Sequence, residues 1–165
     1  MFVQKEKADL GKIDFKEKAA ALESFIKKNI PLANFMNFSI KELTQHSIKL
    51  AAPLKPNDNH YGTGFGGSIT VLGMLGGWSL LHFRMKEENI EAALVIRKGK
   101  IKFLKPVRSE FEAVNNSLPE EVWNEFRGEL AKRGKSELKI QSHIYSNGEL
   151  SALYEGVYVA ISKEK

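Results

Sequence analysis

A chain of 165 residues, 42% hydrophobic and 27% charged, is long enough to bury a core and is neither a disordered nor a collagen-like polymer. With no cysteine it lacks a disulfide framework, a thiolate metal site and a catalytic thiol, which is compatible with a reducing cytosol, and a cytoplasmic location is expected. The excess of 25 Lys and Arg over 20 Asp and Glu, a net charge of +5, points to anionic partners: nucleic acid, a membrane face or a small phosphorylated ligand.

Met1 to Lys18 alternates charges and holds no apolar stretch, so it does not read as a signal peptide. Asp14 followed by Glu17 has the spacing of a capping box and predicts a helix opening there. Leu22, Phe25, Ile26 and Ile30 continue it at helical spacing until Pro31. From Ser47 to Leu54 alternation places Ile48, Leu50, Ala52 and Leu54 on one face and Lys49 on the other, a half-buried strand. The turn formers from Pro56 to Tyr61 predict a loop.

After the apolar run that follows, Ala92 to Lys105 alternates again, with Ile101 and Phe103 opposing Lys100 and Lys102, and Glu110 to Val114 is a short strand candidate. Ser117 and Glu120 form a second capping box with Pro119 in the first turn. Val122, Phe126 and Leu130 line that helix and Gly134 closes it. Leu138, Ile140 and Ile144 are expected to pair with Val157, Val159 and Ile161 across an Asn147-Gly148 hairpin turn. The order of elements predicts an α+β fold with an antiparallel sheet. No repeat or linker divides the chain, so one domain over 1–165 is expected, with an N-terminal extension and helix over 1–35 and a core over 37–163.

The unusual segment is Ser68 to Phe83, apolar on every side. A helix of that kind must be enclosed on nearly every side, and a curved sheet wrapped around it is the economical enclosure. The run is shorter than the roughly 20 residues of a bilayer span. Gly73, Gly76 and Gly77 each cost about 1 kcal/mol against alanine in a helix, a cost that close approach of strand or partner backbone would offset. The alternative is two short apolar strands meeting at Gly76-Gly77.

The stretch Asn57-Asp-Asn-His-Tyr-Gly62-Thr-Gly-Phe65-Gly-Gly-Ser68, then Leu75-Gly-Gly-Trp78 and Ile101-Lys-Phe-Leu-Lys-Pro-Val107, resembles a hotdog-fold thioesterase. It is most similar to the subgroup found as the C-terminal domain of YiiD-type proteins, over roughly Asn37 to Ser162. The stretch before it is too short for the acetyltransferase domain that precedes it in those proteins. The resemblance implies an acyl-CoA or acyl-carrier thioesterase, a homodimer or dimer of dimers with the ligand channel between subunits, and no cofactor beyond the coenzyme A moiety of the substrate.

It also implies that the central helix starts beside the substrate. The first turn of a helix leaves N–H groups unpaired at its positive end, and Gly66, Gly67 and Ser68 sit there, glycine admitting a carbonyl without a side-chain clash. The other reading is a tight loop-to-helix turn. Many hotdog thioesterases carry an Asp or Glu about two turns into this helix; the corresponding position is near Met74, and no carboxylate occurs from Gly62 to Lys86. Asp58 and His60 are therefore the titratable candidates for activating water, each also readable as a plain loop residue. Asn57 and Asn59 are candidates to orient water or the carbonyl, Thr63 and Ser68 to donate hydrogen bonds. Ser68 serves as a nucleophile only beside a base. Gly62 and Phe65 complete the substrate-side loop.

His46 and His143 fall on polar strand faces and His82 near the far end of the helix, with no metal-ligand spacing, so no catalytic metal is expected. Gly62-x-Gly64-x-x-Gly67 matches a dinucleotide fingerprint, but a loop rather than a strand feeds it. The basic stretch from Arg97 to Arg108, with Lys102, Lys105 and Arg108 nearest the motif, reads either as a solvated strand face or as a site for coenzyme A phosphates, and no nucleic-acid-binding motif accompanies it. A non-catalytic acyl-CoA or lipid-binding module stands as the alternative function.

Overall fold

The computed structural model describes residues 2–115 and 118–163, residues 2–13 as backbone alone. Helices α1 (Phe2–Asn29) and α2 (Pro31–Phe35) lead into strands β1 (Ser39–Leu43) and β2 (Ile48–Ala52). The central helix α3 (Gly66–Glu87) follows, then β3 (Ala92–Phe103), β4 (Phe111–Asn115), α4 (Glu120–Arg133), β5 (Lys135–Ser146) and β6 (Glu149–Ser162). The strands form one antiparallel sheet in the order β1-β2-β4-β5-β6-β3. Helix α3 packs against β2, β3, β4, β5 and β6, so the apolar run is a helix wrapped by sheet and the two-strand alternative is excluded.

Two expectations about element ends are corrected. Asp14 does not open α1, which already runs from Phe2. The Lys- and Glu-rich chain upstream propagates helix well, and the Asp14 carboxylate instead pairs with Lys18 one turn on, at 2.9 Å. At α4, Ser117 of the expected capping box lies outside the described residues. Pro119 is the N-cap residue and has no side-chain bond to the helix, while Glu120 and Glu121 place negative charge at the helix's positive end. Gly134 closes α4 in the left-handed conformation (φ 70°), as its position predicted. Strand β1 and helix α2 are not among the elements expected from the sequence.

The hairpin turn stands at Asn147 and Gly148, both at positive φ. Its register differs from expectation by one residue. Leu138, Ile140 and Ile144 pair with Tyr158, Gly156 and Ala152, whereas Val157, Val159 and Ile161 pair with Lys139, Glu137 and Lys135 on the outer face. Period-2 alternation cannot choose between two apolar faces of β6; the fit to α3 does. A Cβ on Gly73 would lie 2.8 Å from the Tyr154 Cβ, and one on Gly77 2.5 Å from the Tyr158 hydroxyl. Gly73 and Gly77 thus admit tyrosine side chains and Gly76 the Asn115 amide, not the strand or partner backbone expected.

Enclosure of α3 is also incomplete. Leu72, Leu75, Leu80 and Leu81 are buried, but Val71, Met74, Trp78 and His82 are only half-buried and share one stripe at helical spacing. Strand β3 is a sheet edge, its inner face beside that stripe and its Lys98, Lys100 and Lys102 on the outer face. Helix α1 adds Leu22 and Ile26 to the core, and its Glu23 carboxylate accepts the Ile40 N–H of β1 at 2.8 Å. Among the described residues no helix is long and apolar enough to cross a membrane.

Candidate active site

The loop that delivers the chain to α3 is held by its own polar side chains. Asn57, buried, donates through Nδ2 to the Met36 and Pro53 carbonyls, both at 2.9 Å, and its own carbonyl accepts the Phe65 N–H at 2.8 Å. Asn59 Oδ1 accepts the N–H groups of Tyr61 (2.9 Å) and Thr63 (3.2 Å), and its Nδ2 reaches the Thr63 hydroxyl at 3.0 Å. Between them Gly62 takes a positive φ of 73°, a conformation that costs most other residues strain. Gly64 then donates to the Val107 carbonyl at 2.7 Å, tying the loop to the segment after β3.

This scaffold aims the first turn of α3. Its N-cap residue, Phe65, has no side-chain bond to the helix and no acidic residue lies in the first turn. The first amide to find a helical acceptor is that of Ile69, which reaches the Phe65 carbonyl at 3.0 Å. The N–H groups of Gly66, Gly67 and Ser68 have no hydrogen-bond acceptor among the described residues. Gly66 borders a groove of about 380 Å³ with Gly64, Gly66 and Ile69 on one wall and the segment Phe103 to Val107 on the other. The Phe103 ring stands over Gly66, 3.2 Å from where a Cβ would be, and the Phe65 ring lies over Gly67; both rings are more than half exposed. At the rim Lys105 pairs with Glu149 at 3.1 Å, and Arg108 is exposed.

The other expected residues fall in distinct places. Asp58 pairs with Lys55, whose ammonium holds the Asp58 carboxyl below its ordinary value. His60 is exposed, its ring against Tyr61 with centroids 3.8 Å apart, and it hydrogen-bonds to none of the described residues. Lys102 alternates with Ile101 and Phe103 and therefore lies on the outer face of the sheet, away from the groove. His46 Nδ1 lies 3.1 Å from the Leu118 carbonyl, and His82 is stacked between Phe25 and Trp78. Among the described residues no group of three or more His, Cys, Asp or Glu could hold a metal ion. Sequence reasoning missed Phe103 as a wall of the groove, although its alternation with Lys102 already put it on the helix side.

Residues 19–162 match the model of the "Putative thioesterase (yiiD_Cterm)" family. The chain belongs to that family. Among solved structures it is similar to a protein of unknown function from Chlorobaculum tepidum (25% identity, TM-score 0.86, covering 90% of this chain and 97% of that one). It is also similar to a putative thioesterase from Shewanella oneidensis (27%, TM-score 0.79, covering 88% and 99%). A thioesterase from Haemophilus influenzae (15%, TM-score 0.68, covering 87% and 90%) shares the fold. The sheet-wrapped helix of this family member is the hotdog arrangement that the Gly62–Trp78 motif implied.

Proposed function

We propose that this protein hydrolyses acyl thioesters of coenzyme A or an acyl carrier at the amino end of α3. The observation that carries the reading is the row of N–H groups at Gly66, Gly67 and Ser68 without an acceptor among the described residues, at a helix end whose Gly66 lines an apolar groove. A thioester carbonyl seated there accepts hydrogen bonds from these amides at the positive end of a 22-residue helix. As water adds to the carbonyl carbon, the oxygen gains negative charge, and each aimed donor lowers the barrier by about 3–4 kcal/mol. Collapse of the tetrahedral intermediate breaks the C–S bond and releases a carboxylic acid and a thiol. A thiol is far more acidic than an alcohol, so it leaves as thiolate without help from a strong acid.

The attacking water must lose a proton, and no carboxylate lies between Gly62 and Lys86 to take it. His60 is the loop side chain with an imidazole nitrogen able to accept it as a general base. Asp58, stabilised as the carboxylate by Lys55, is the weaker base. Asn57, Asn59, Thr63 and Gly62 shape the loop, Ser68 contributes its amide, and Phe65 desolvates the carbonyl. Lys105 and Arg108 attract the carrier's phosphates; the Lys105–Glu149 pair is exposed and gives way at little cost. The reading includes a homodimer: among the described residues the 12-residue β3 has no strand on its outer edge, with Val95 48% exposed, and a second copy adding its own β3 would cover it.

The missing helix carboxylate favours one second reading, a module that binds acyl-CoA without hydrolysing it. A free-thiol assay over a panel of acyl-CoA esters separates the two. Turnover above buffer, lost in His60→Ala, supports hydrolysis; calorimetric binding with no thiol released supports the module. Sedimentation equilibrium tests the dimer.

A further inference from the structure

The half-buried stripe on α3 begins where the free amides are. Val71, Met74 and Trp78 follow Gly67 on one face of the helix, while the residues on its other faces are buried. Strand β3 runs beside this stripe: Trp78 Nε1 donates to the Leu94 carbonyl at 3.1 Å, and at the amino end the Phe103 ring stands over Gly66, next to the Phe65 ring over Gly67. The far end is closed by three stacked rings. Trp78 lies on His82 (centroids 4.6 Å, planes 14° apart) and His82 on Phe25 of α1 (4.9 Å, 16°), so the stack reaches from β3 across α3 to α1.

We propose that the stripe Val71–Met74–Trp78 receives the acyl chain of the thioester, and that the Trp78–His82–Phe25 stack stops it, limiting the substrate to medium chains. This rests on the thioesterase reading for where the carbonyl sits: an acyl group anchored at the Gly66–Ser68 amides has its first methylenes at the head of the stripe. Trp78 is 11 residues beyond Gly67, about 16 Å along the axis, and its ring leans back toward the amino end by about one turn, leaving roughly 11 Å. Carbon–carbon bonds of about 1.5 Å at tetrahedral angles advance roughly 1.25 Å per methylene, so the stripe holds chains of about eight to ten carbons. The occupant is apolar because the stripe presents no charge. Burial lowers the pKa of His82 to about 4, so the wall is uncharged at neutral pH.

The test is a chain-length series. Hydrolysis of straight-chain acyl-CoA esters from four to sixteen carbons should give a kcat/KM optimum near eight to ten and at least a tenfold fall by fourteen. Trp78→Leu removes the stop as far as His82, one turn on, and should move the optimum about four carbons longer; Phe25→Ala, at a residue 41% exposed, should broaden it in the same direction. A flat profile, or a profile that neither variant shifts in protein with unchanged circular dichroism, overturns the proposal while leaving the hydrolase standing. Calorimetry with non-hydrolysable S-alkyl coenzyme A thioethers of the same lengths gives the converse. If they bind with this cutoff yet no ester is cleaved, the hydrolase reading fails and the acyl site holds.

Discussion

The Tyr158 hydroxyl donates to the Met74 carbonyl at 2.7 Å, reaching it over the bare backbone of Gly77. Near the position where many hotdog thioesterases carry a carboxylate, this chain has the half-buried Met74 side chain, and a buried phenol caps the Met74 backbone carbonyl. Burial pushes the Tyr158 pKa far above its ordinary range, so the hydroxyl remains a donor and takes no part as a base.

Gly77 and Tyr158 are therefore expected to couple. Gly77→Ala places a Cβ 2.5 Å from the hydroxyl and should destabilise the fold by about 1–3 kcal/mol through overpacking. Tyr158→Phe should cost about 1 kcal/mol for the lost hydrogen bond. In the double variant the hydroxyl contact is gone but ring carbons still stand 2.7 and 2.8 Å from the new Cβ, so the clash is relieved in part and urea titration should give a loss somewhat smaller than the sum of the two. Additive losses would show that the hydroxyl and the glycine do not share the space.

A second prediction concerns Arg84, 3% exposed near the end of α3. Its guanidinium donates to the Gln45 carbonyl at 2.8 Å and to the Glu120 carboxylate at 3.2 Å, and lies 4.7 Å from the centroid of the Trp123 ring. It ties the β1–β2 turn and α4 to the central helix. Glu88 and Glu120 are solvated and Glu88 keeps Trp123 and Arg127, so the cost of Arg84→Ala comes from the lost bond to the Gln45 carbonyl and the lost packing on Trp123, about 1–3 kcal/mol. Thermal unfolding should show a fall in Tm of about 3–10 °C.

His82 predicts a pH dependence of stability. Its folded pKa of about 4 is below its unfolded value of about 6.5, chiefly through burial and secondarily through Lys86. Between these values the unfolded chain binds the extra proton, so stability falls as pH drops from 6.5 toward 4. Solvent around the partly exposed ring limits the loss to about 1–2 kcal/mol. Melting curves at pH 7 and pH 4.5 should differ less in His82→Phe than in the native chain; an equal difference would remove His82 as the cause.

The helix amides give the sharpest test of chemistry. Phe65 is extended (φ −68°, ψ 129°) and Gly66 is the first helical residue, so proline is tolerated at position 66 and deletes one N–H. Gly66→Pro should leave Tm equal or slightly raised, because proline restricts the unfolded chain. Hydrolysis should fall about 100-fold or more if that amide polarises the carbonyl. Full activity in a well-folded Gly66→Pro protein would move the oxyanion contact elsewhere.

Much of this molecule is legible in local patterns. The all-apolar run from Ser68 to Phe83 had to be largely enclosed, since water is a poor solvent for every one of its faces, and its length favoured a helix over two short strands meeting at Gly76-Gly77. The Asn147-Gly148 pair needed positive φ and made its hairpin, and the Gly62–Ser68 motif pointed to the amino end of α3. These features depend on neighbours in sequence and on solvent alone. Tertiary structure decided the rest. Asp14 read as a cap because a carboxylate that caps and one that pairs with a lysine four residues on have the same local signature. The face that β6 turns inward was set by the fit of Tyr154 and Tyr158 to glycines more than seventy residues away. The candidate groove joins Gly66 to Phe103, and the aromatic stack joins Phe25 to Trp78. Such contacts form only when the sheet curls around the helix, because the energy that selects them comes from shape complementarity between distant segments.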